Sequence, residues 1–354
     1  MKFTLQVYIC GLRVLFWEGH GYYMRVLKVS AQEEGQRLDR MLAKYMQLAP
    51  RSFFYKMLRK KNIKLNGKKA DGSEKVAEGD EITLYLADET IDSFRKQVSE
   101  QDRQTKSTRP KSRKIPVVYE DQDILVLNKP VGVLSQKADR DDYSLVEWLE
   151  DYLSMDLMQT FRPGICNRLD RNTSGLVVAG KSIHGLQWMN RLFRERNLKK
   201  YYLCLVHGAV KGEKKLHGYL KKDPKKNIVT VVRSPENGTV EIETQYQPLQ
   251  VVYWEGEPYT LLKIHLITGK SHQIRAHLAS IGYPAVGDTK YGRKGKAEQQ
   301  FHLRSQLLHA WQLEISKEEY LPSLYWNKIF IADLPRKFVQ VLEGIGFDLD
   351  ILDV

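Results

Sequence analysis

Cysteine is scarce in this 354-residue chain. The three present, Cys10, Cys166 and Cys204, are too few and too scattered for a disulfide framework or a structural zinc site. That points to a reducing, cytoplasmic setting. Long apolar runs are missing too. The most apolar stretch, "LQVYICGLRVLFWEGHGYY", holds a run of only about a dozen residues where roughly 18 are needed to span a bilayer, and Arg13 interrupts it. It also lacks a small-residue cleavage site. There is no glycine-rich phosphate loop and no metal-ligand cluster, since His272 and His277 miss the i,i+4 spacing of helical zinc pairs. No metal site is therefore expected. Acid is the minority charge: 43 Asp and Glu against 56 Lys and Arg leave +13. Such a balance attracts polyanions, with nucleic acid the commonest and an anionic membrane its rival.

The apolar content, 42%, suits a globular protein with a substantial core, and the length fits one large domain with a smaller one. "MRVLKVSAQEEGQRLDRML", beginning at Met24, reads as a natural start, so residues 1–23 are taken as an extension or a misassigned start. A first unit follows over residues 24–90. In "QRLDRMLAKYM", Leu38, Leu42 and Tyr45 recur at helical spacing with Met41 beside them. "SFFYKMLRKKN" predicts a second helix capped by Ser52, with Phe54, Met57 and Leu58 inward and Lys56, Arg59, Lys60 and Lys61 on the other side. Asn66-Gly67 between extended runs signals a hairpin, and "GDEITLYL" an alternating strand. The lysines alone could be an ordinary solvated face.

"RLDRML", "APRS", "MLRKKNIKLNG" and "EGDEITL" together resemble the S4-type RNA-binding domain. The resemblance implies that Arg51, Lys56, Arg59 and Lys60 face RNA. Residues 91–114 are polar, charged and nearly free of apolar side chains; they read as a basic flexible linker. From Ile115 to the end, short extended runs ("DILVLNKP", "GLVVAGKS", "KYYLCLVHG", "NIVTVVRS", "YTLLKIHLIT") alternate with three helical stretches, "SLVEWLEDYL", "IHGLQWMNRLFRERN" and "SHQIRAHLASIG". Many strands and few helices predict one α+β domain on a mixed, mainly antiparallel sheet over residues 115–354.

Within it, "NRLDRNTSG" (167–175) sets one carboxylate, Asp170, between Arg168 and Arg171, just before the apolar run "LVVAG". Gly175 and the small residues ahead of it suit a tight loop leading into a buried strand, a good place to aim a side chain. An exposed aspartate is an anion at neutral pH; inside a closed site it needs a cation. Neighbouring side chains on extended backbone point to opposite faces, so that cation is expected from elsewhere in the chain. On this stretch alone, a structural loop ion pair is the better reading.

Two more stretches shift the balance. "LITGKSHQIRAHLASIGYPAVGDTKYG" (266–292) predicts a Thr-Gly turn and then a helix carrying Ser271, His272, Gln273 and Arg275, ended by Gly282. "LKKYYLCLVHG" (198–208) puts adjacent tyrosines on an apolar strand, one facing each way. With "VVYEDQDILVLNKPVGVLSQ" (117–136), these motifs resemble RNA pseudouridine synthases of the RluA type, over about Ile115 to Trp311. An S4-type domain ahead of the catalytic domain is a common arrangement among them. The resemblance implies that Asp170 is the catalytic residue, that Tyr202 and Arg275, with Arg168, bind the substrate, and that Arg275 pairs with Asp170. Two departures stand out. Asn167 takes the place of the family's usual His, and the chain after Leu308, His309 and Ala310 expands a short turn.

The reaction so implied breaks the N1–C1′ bond of uridine, rotates the freed uracil and joins C5 to C1′. Nothing is oxidised or carried away, so it calls for no cofactor. It needs one ionised carboxylate near C1′ and C2′, acting as nucleophile or as base, and a uridine flipped out of the RNA. The expected partner is structured RNA, large-subunit ribosomal RNA before transfer RNA, with no membrane and a monomeric protein. The contrasting class is a non-catalytic RNA-binding or ribosome-assembly protein on a synthase scaffold.

Overall fold

The computed structural model describes residues 4–9, 12–17, 24–95, 114–137, 139, 142–153, 160–223 and 227–352. Two strands, β1 (Thr4–Ile9) and β2 (Leu12–Trp17), pair antiparallel. Among the described residues no helix is long and apolar enough to cross a membrane.

The next elements are β3 (Arg25–Lys28), α1 (Leu38–Tyr45), α2 (Arg51–Arg59), β4 (Ile63–Leu65), β5 (Lys68–Lys69), β6 (Glu81–Leu84) and α3 (Asp88–Ser93). The strands form a sheet in the order β3-β6-β4-β5. Onto it α1 buries Leu38, Met41, Leu42 and Tyr45, and α2 buries Phe54, Met57 and Leu58. Both apolar stripes follow the i, i+3, i+4 rule. Asn66 and Gly67 take positive φ (50° and 73°) between β4 and β5, as a two-residue hairpin turn requires.

Three expectations need correcting here. Ser52 is not the cap of α2; it is the second helical residue, and Pro50 starts the helix with its extended backbone. β6 does not alternate, because Thr83 is buried between Ile82 and Leu84. Ile91 and Phe94, read as the start of the linker, belong to the N-terminal core: Ile91 is fully buried on α3, and the Phe94 ring lies 4.7 Å from that of Phe53. Of the remaining linker, 96–113 lies outside the described residues.

The rest of the chain builds β7 (Val117–Glu120), β8 (Ile124–Lys129), α4 (Leu145–Tyr152), β9 (Gly164–Ile165), β10 (Ser174–Gly180), α5 (Ile183–Glu195), β11 (Leu198–His207), β12 (Lys214–Asp223) and β13 (Ile228–Val232). It continues through β14 (Thr239–Trp254), β15 (Glu257–Leu266), α6 (Gln273–Ser280), α7 (Lys296–Gln300), β16 (Leu308–Ile315), β17 (Ile329–Ile331) and α8 (Arg336–Ile345). The strands make one mixed sheet ordered β13-β12-β14-β15-β11-β16-β10-β8-β7, with β9 beside β10 and β17 beside β16. Among the described strands the one parallel pairing is β10 with β16, where Ser174 and Gly175 face His309 and Ala310. The α+β architecture is thus mainly antiparallel.

The central strand β11 shows how the sheet is dressed. Tyr202, Cys204 and Val206 point to one face, where Leu145 and Trp148 of α4 and Ile274 and Leu278 of α6 cover them. Leu203 and Leu205 point to the other, under Phe338, Val341, Leu342 and Ile345 of α8. This is the period-2 alternation of a strand buried on both sides. A break in register between Tyr201 and Tyr202, opposite β16, sits just where the two tyrosines diverge.

Candidate active site

Asp170 lies in the loop between β9 and β10, and the loop is held from both sides. Leu169 N donates to Ser135 Oγ (3.0 Å), which in turn donates to Leu169 O (2.9 Å). Beyond Asp170, the carbonyl of Arg171 accepts from Gly132 N (2.9 Å) and from Lys129 Nζ (3.2 Å). Lys129 is completely buried and also donates to the carbonyls of Val133 and Pro130. Burial pushes its pKa down to about 7, with the Asp170 charge opposing. Upstream, the Asn167 side chain acts as a strand edge: Nδ2 donates to Leu176 O (3.1 Å) and Oδ1 accepts from Val178 N (2.8 Å). The residue that departs from the family pattern therefore anchors the loop to β10.

Gly175 has φ +112°, and a Cβ there would run into the Ala310 backbone. The glycine is needed for close approach of β10 and β16 rather than for a loose turn. His309, on the facing position, is buried: Nδ1 accepts from Ser174 Oγ (2.9 Å) and Nε2 faces Ala332 O (3.2 Å). Burial holds its pKa at about 4. The Leu308-His309-Ala310 segment thus supports the start of β10.

The cation for Asp170 arrives from α6. Arg275 Nη1 donates to Asp170 Oδ2 at 3.0 Å, while Nε and Nη2 grip both oxygens of Asp288 at 2.7 and 2.8 Å. Asp288 is buried and also accepts from the backbone N–H groups of Lys290 and Tyr291. Burial would raise the Asp288 pKa, but Arg275 and those N–H groups outweigh it and hold it below 3.8. The guanidinium is therefore fixed by one carboxylate and presents its remaining edge to the other. Asp170 keeps 24% of its side chain exposed, in a cleft of about 710 Å³, a volume that suits a small ligand such as a nucleotide.

Tyr202 lines the same cleft from β11 and is 7% exposed. Burial first, and the Asp170 charge second, push its pKa up, so the phenol stays protonated. His272 also faces the cleft, with Nε2 3.9 Å from Asp170 Oδ2 and Nδ1 2.9 Å from the Tyr291 hydroxyl. It is not in the helix as expected: it caps α6 with φ 55°, and Ser271 lies in the turn before it. Arg168 lines the cleft but turns to Gln136 Oε1 (3.4 Å), while Arg171 turns to Gly132 O (3.4 Å). Neither neighbour serves Asp170.

Asp170, Tyr202, Arg168 and Arg275 thus surround one cleft. Arg51, Lys56, Arg59 and Lys60 do not line it; they are exposed on α2 and just past its end. Asp288 was overlooked in the sequence although it stands in the quoted "GDTKYG", and Lys129 although it stands in "LNKP". A smaller apolar pocket of about 420 Å³ lies beyond Leu308, which lines both.

Comparison with known proteins decides the family. Residues 123–280 match the RNA pseudouridylate synthases, and residues 36–82 match the S4 domain. An uncharacterized RNA pseudouridine synthase of Aquifex aeolicus is 30% identical over 287 residues, 77% of this chain and 82% of that protein. This chain belongs to the RNA pseudouridine synthases. It is of the RluA type. The synthase is also 29% identical to the ribosomal large subunit pseudouridine synthase D of Borreliella burgdorferi, over 89% of this chain and 91% of the relative. It is 27% identical to synthase C of Escherichia coli K12, over 76% and 80%. Among solved structures, Human RNA Pseudouridylate Synthase Domain Containing 4 shares the fold, with TM-score 0.52 and 22% identity over 66% of this synthase and 94% of that chain.

Proposed function

We propose that this synthase converts specific uridines of structured RNA, large-subunit ribosomal RNA first among them, into pseudouridine, as a cytoplasmic monomer without a cofactor. The single observation that carries the chemistry is the lone cleft carboxylate, Asp170, held by the Arg275–Asp288 fork. The names of the bacterial relatives support the choice of ribosomal RNA; transfer RNA is the other candidate.

In this reading the target uridine flips into the cleft and its base stacks on Tyr202. Asp170 then either attacks C1′ or takes the proton from C2′. Both routes consume an ionised carboxylate with a fixed orientation, and Arg275 supplies both. The N1–C1′ bond breaks with its electron pair on N1, the uracil turns within the cleft, and C5 bonds to C1′ as the Asp170–C1′ bond breaks or as Asp170 returns the proton to C2′. The proton left on C5 then passes to N1, and the protonated Tyr202 hydroxyl, on a residue lining the same cleft, is the group to relay it. Arg168 at the rim contacts the RNA, and the four basic residues on and just past α2 anchor it at a distance.

Two experiments test this. Pseudouridine mapped across total RNA with and without the gene identifies the target. On that target the purified wild type forms pseudouridine, whereas Asp170→Asn, which keeps the shape and removes the charge, does not, with RNA affinity within a few-fold of wild type. Pseudouridine from the mutant above a mock control would remove Asp170 from its role. RNA binding by the wild type with no product at all would favour the non-catalytic reading.

A further inference from the structure

The charge balance inside the cleft leaves a question about its cations. Arg275 is shared between two carboxylates, so it has no charge to spare for a phosphate. Lys200 is different. It lines the cleft from β11, two residues before Tyr202. Its surface is only partly exposed, and no acid offsets its desolvation; the charge acting on it is Arg196, another cation. Burial, with Arg196 adding to it, takes its pKa down to about 8.

Arg196 sits at the C-terminal cap of α5 with left-handed backbone, φ 62°. A helix C-terminus favours a positive charge, and Arg196 is exposed to solvent, so this second cation at the cleft is tolerated. The nearby Glu195 is already engaged by Arg191 and Arg194. The Lys200 ammonium lies close beside Gly269 of the turn before α6, with Nζ 3.7 Å from where a Cβ of that glycine would stand, and both residues line the cleft. Desolvating an ammonium with no counter-ion is costly. A protein that keeps one in a cleft gains when an anion arrives with the ligand.

We propose that Lys200 and Arg196 form a phosphate-binding subsite that holds a phosphate flanking the reacting uridine. The spacing fits. Lys200 and Tyr202 share a face of one strand, so they lie about 7 Å apart along it, roughly the reach from a stacked base to a phosphate of its own nucleotide. The subsite rests on the reading of this cleft as the uridine site. It adds a division of labour: Tyr202 takes the base, Asp170 and Arg275 the sugar, and Lys200 with Arg196 the backbone.

The test compares uridine, uridine 3′-monophosphate and uridine 5′-monophosphate binding to the full-length wild type, Lys200→Met and Lys200→Arg, by titration followed with ligand NMR. One of the two monophosphates should bind the wild type about tenfold tighter than uridine, the scale of one charge-assisted contact. That gap should close in Lys200→Met and largely return in Lys200→Arg. Inorganic phosphate should displace the favoured monophosphate and leave uridine in place. Lys200→Met should melt no lower than wild type, because it removes an uncompensated charge. Three ligands bound equally by the wild type, or none bound, would overturn the subsite; so would a gap that survives Lys200→Met, or a variant that loses the gap only because it unfolds. Pseudouridine formation on ribosomal RNA, assayed in parallel, separates the two ideas. Product without a Lys200-dependent gap sinks the subsite alone, and a gap without product sinks the isomerase reading alone.

Discussion

Arg275 is the residue that ties the site together, because Asp288 clamps its guanidinium and its remaining edge meets Asp170. Its fork to Asp288 is buried, and the Asp170 contact borders the open cleft. Asp288→Asn keeps the shape but sets an amide against the guanidinium and against two backbone N–H donors. Breaking one partner of such a pair leaves a buried charge exposed to apolar surroundings, so the variant should lose about 3 kcal/mol of stability at neutral pH. The pH dependence has a definite sign. Asp288 is held below its ordinary 3.8, so its contribution is fully present above that value and is lost as pH falls through the lower, folded one. The gap between wild type and variant, measured by urea unfolding from about pH 7 to about pH 3, should therefore narrow only at the acid end. A gap that stayed constant into acid would mean the carboxylate charge is not its source. Turnover should fall as well, since Arg275 would no longer be clamped. Asp170 was legible in the sequence because it stands alone before an apolar run. Asp288 was not, since nothing local says that a residue in a Gly-Asp turn grips an arginine thirteen positions earlier on a helix; that pairing exists only in the fold.

At the scale of elements, the Asp170 loop leads into the one place, among the described residues, where strands of the large sheet pair parallel. β10 meets β16 through Ser174 and Gly175 alone, and only a residue without a Cβ, at φ +112°, lets Ala310 come that close. Gly175→Ala should cost about 3 kcal/mol or more, combining an unfavourable φ with a backbone clash. It should cut turnover further than its loss of stability explains, because Asp170 leads directly into this strand. Equal turnover per folded molecule in variant and wild type, with the folded fraction read by circular dichroism, would show that the loop is aimed from elsewhere. Elements with a strong period were readable in advance: the apolar stripes of α1 and α2, and the two-faced tyrosines of β11. Those missed had no such signal. β12 carries lysines at both ends, and its buried alternation rests on only two apolar side chains, Leu216 and Leu220, about Gly218; β16 hides behind a departure from the family pattern. The ends of α2 and α6 were misplaced because a serine was read as a cap or first turn, whereas Pro50 and the left-handed His272 set the true starts.

The whole molecule joins the small sheet and the large one through a compact contact. The Thr160 hydroxyl donates to the buried Glu33, Gln36 Nε2 donates back to it at 3.4 Å, and Gly35 packs directly against His184. The N-terminal unit therefore offers its basic helix from a set position, while Arg51, Lys56, Arg59 and Lys60 remain exposed and away from the cleft. If those four neutralise RNA phosphates, each should contribute roughly 0.7–0.9 to the slope of log affinity against log salt. Changing all four to Gln in the full-length chain should then flatten the slope on a folded ribosomal RNA fragment by about 3, and each single change by a quarter of that. Turnover of a short single-stranded RNA should stay close to wild type, since none of the four lines the cleft. The net charge of +13 makes the slope the decisive measure, because so basic a protein binds RNA at low salt whichever surface it uses. An unchanged slope in the fourfold variant would place the phosphate contacts elsewhere, leaving the lysines and arginines around the cleft to carry RNA on their own.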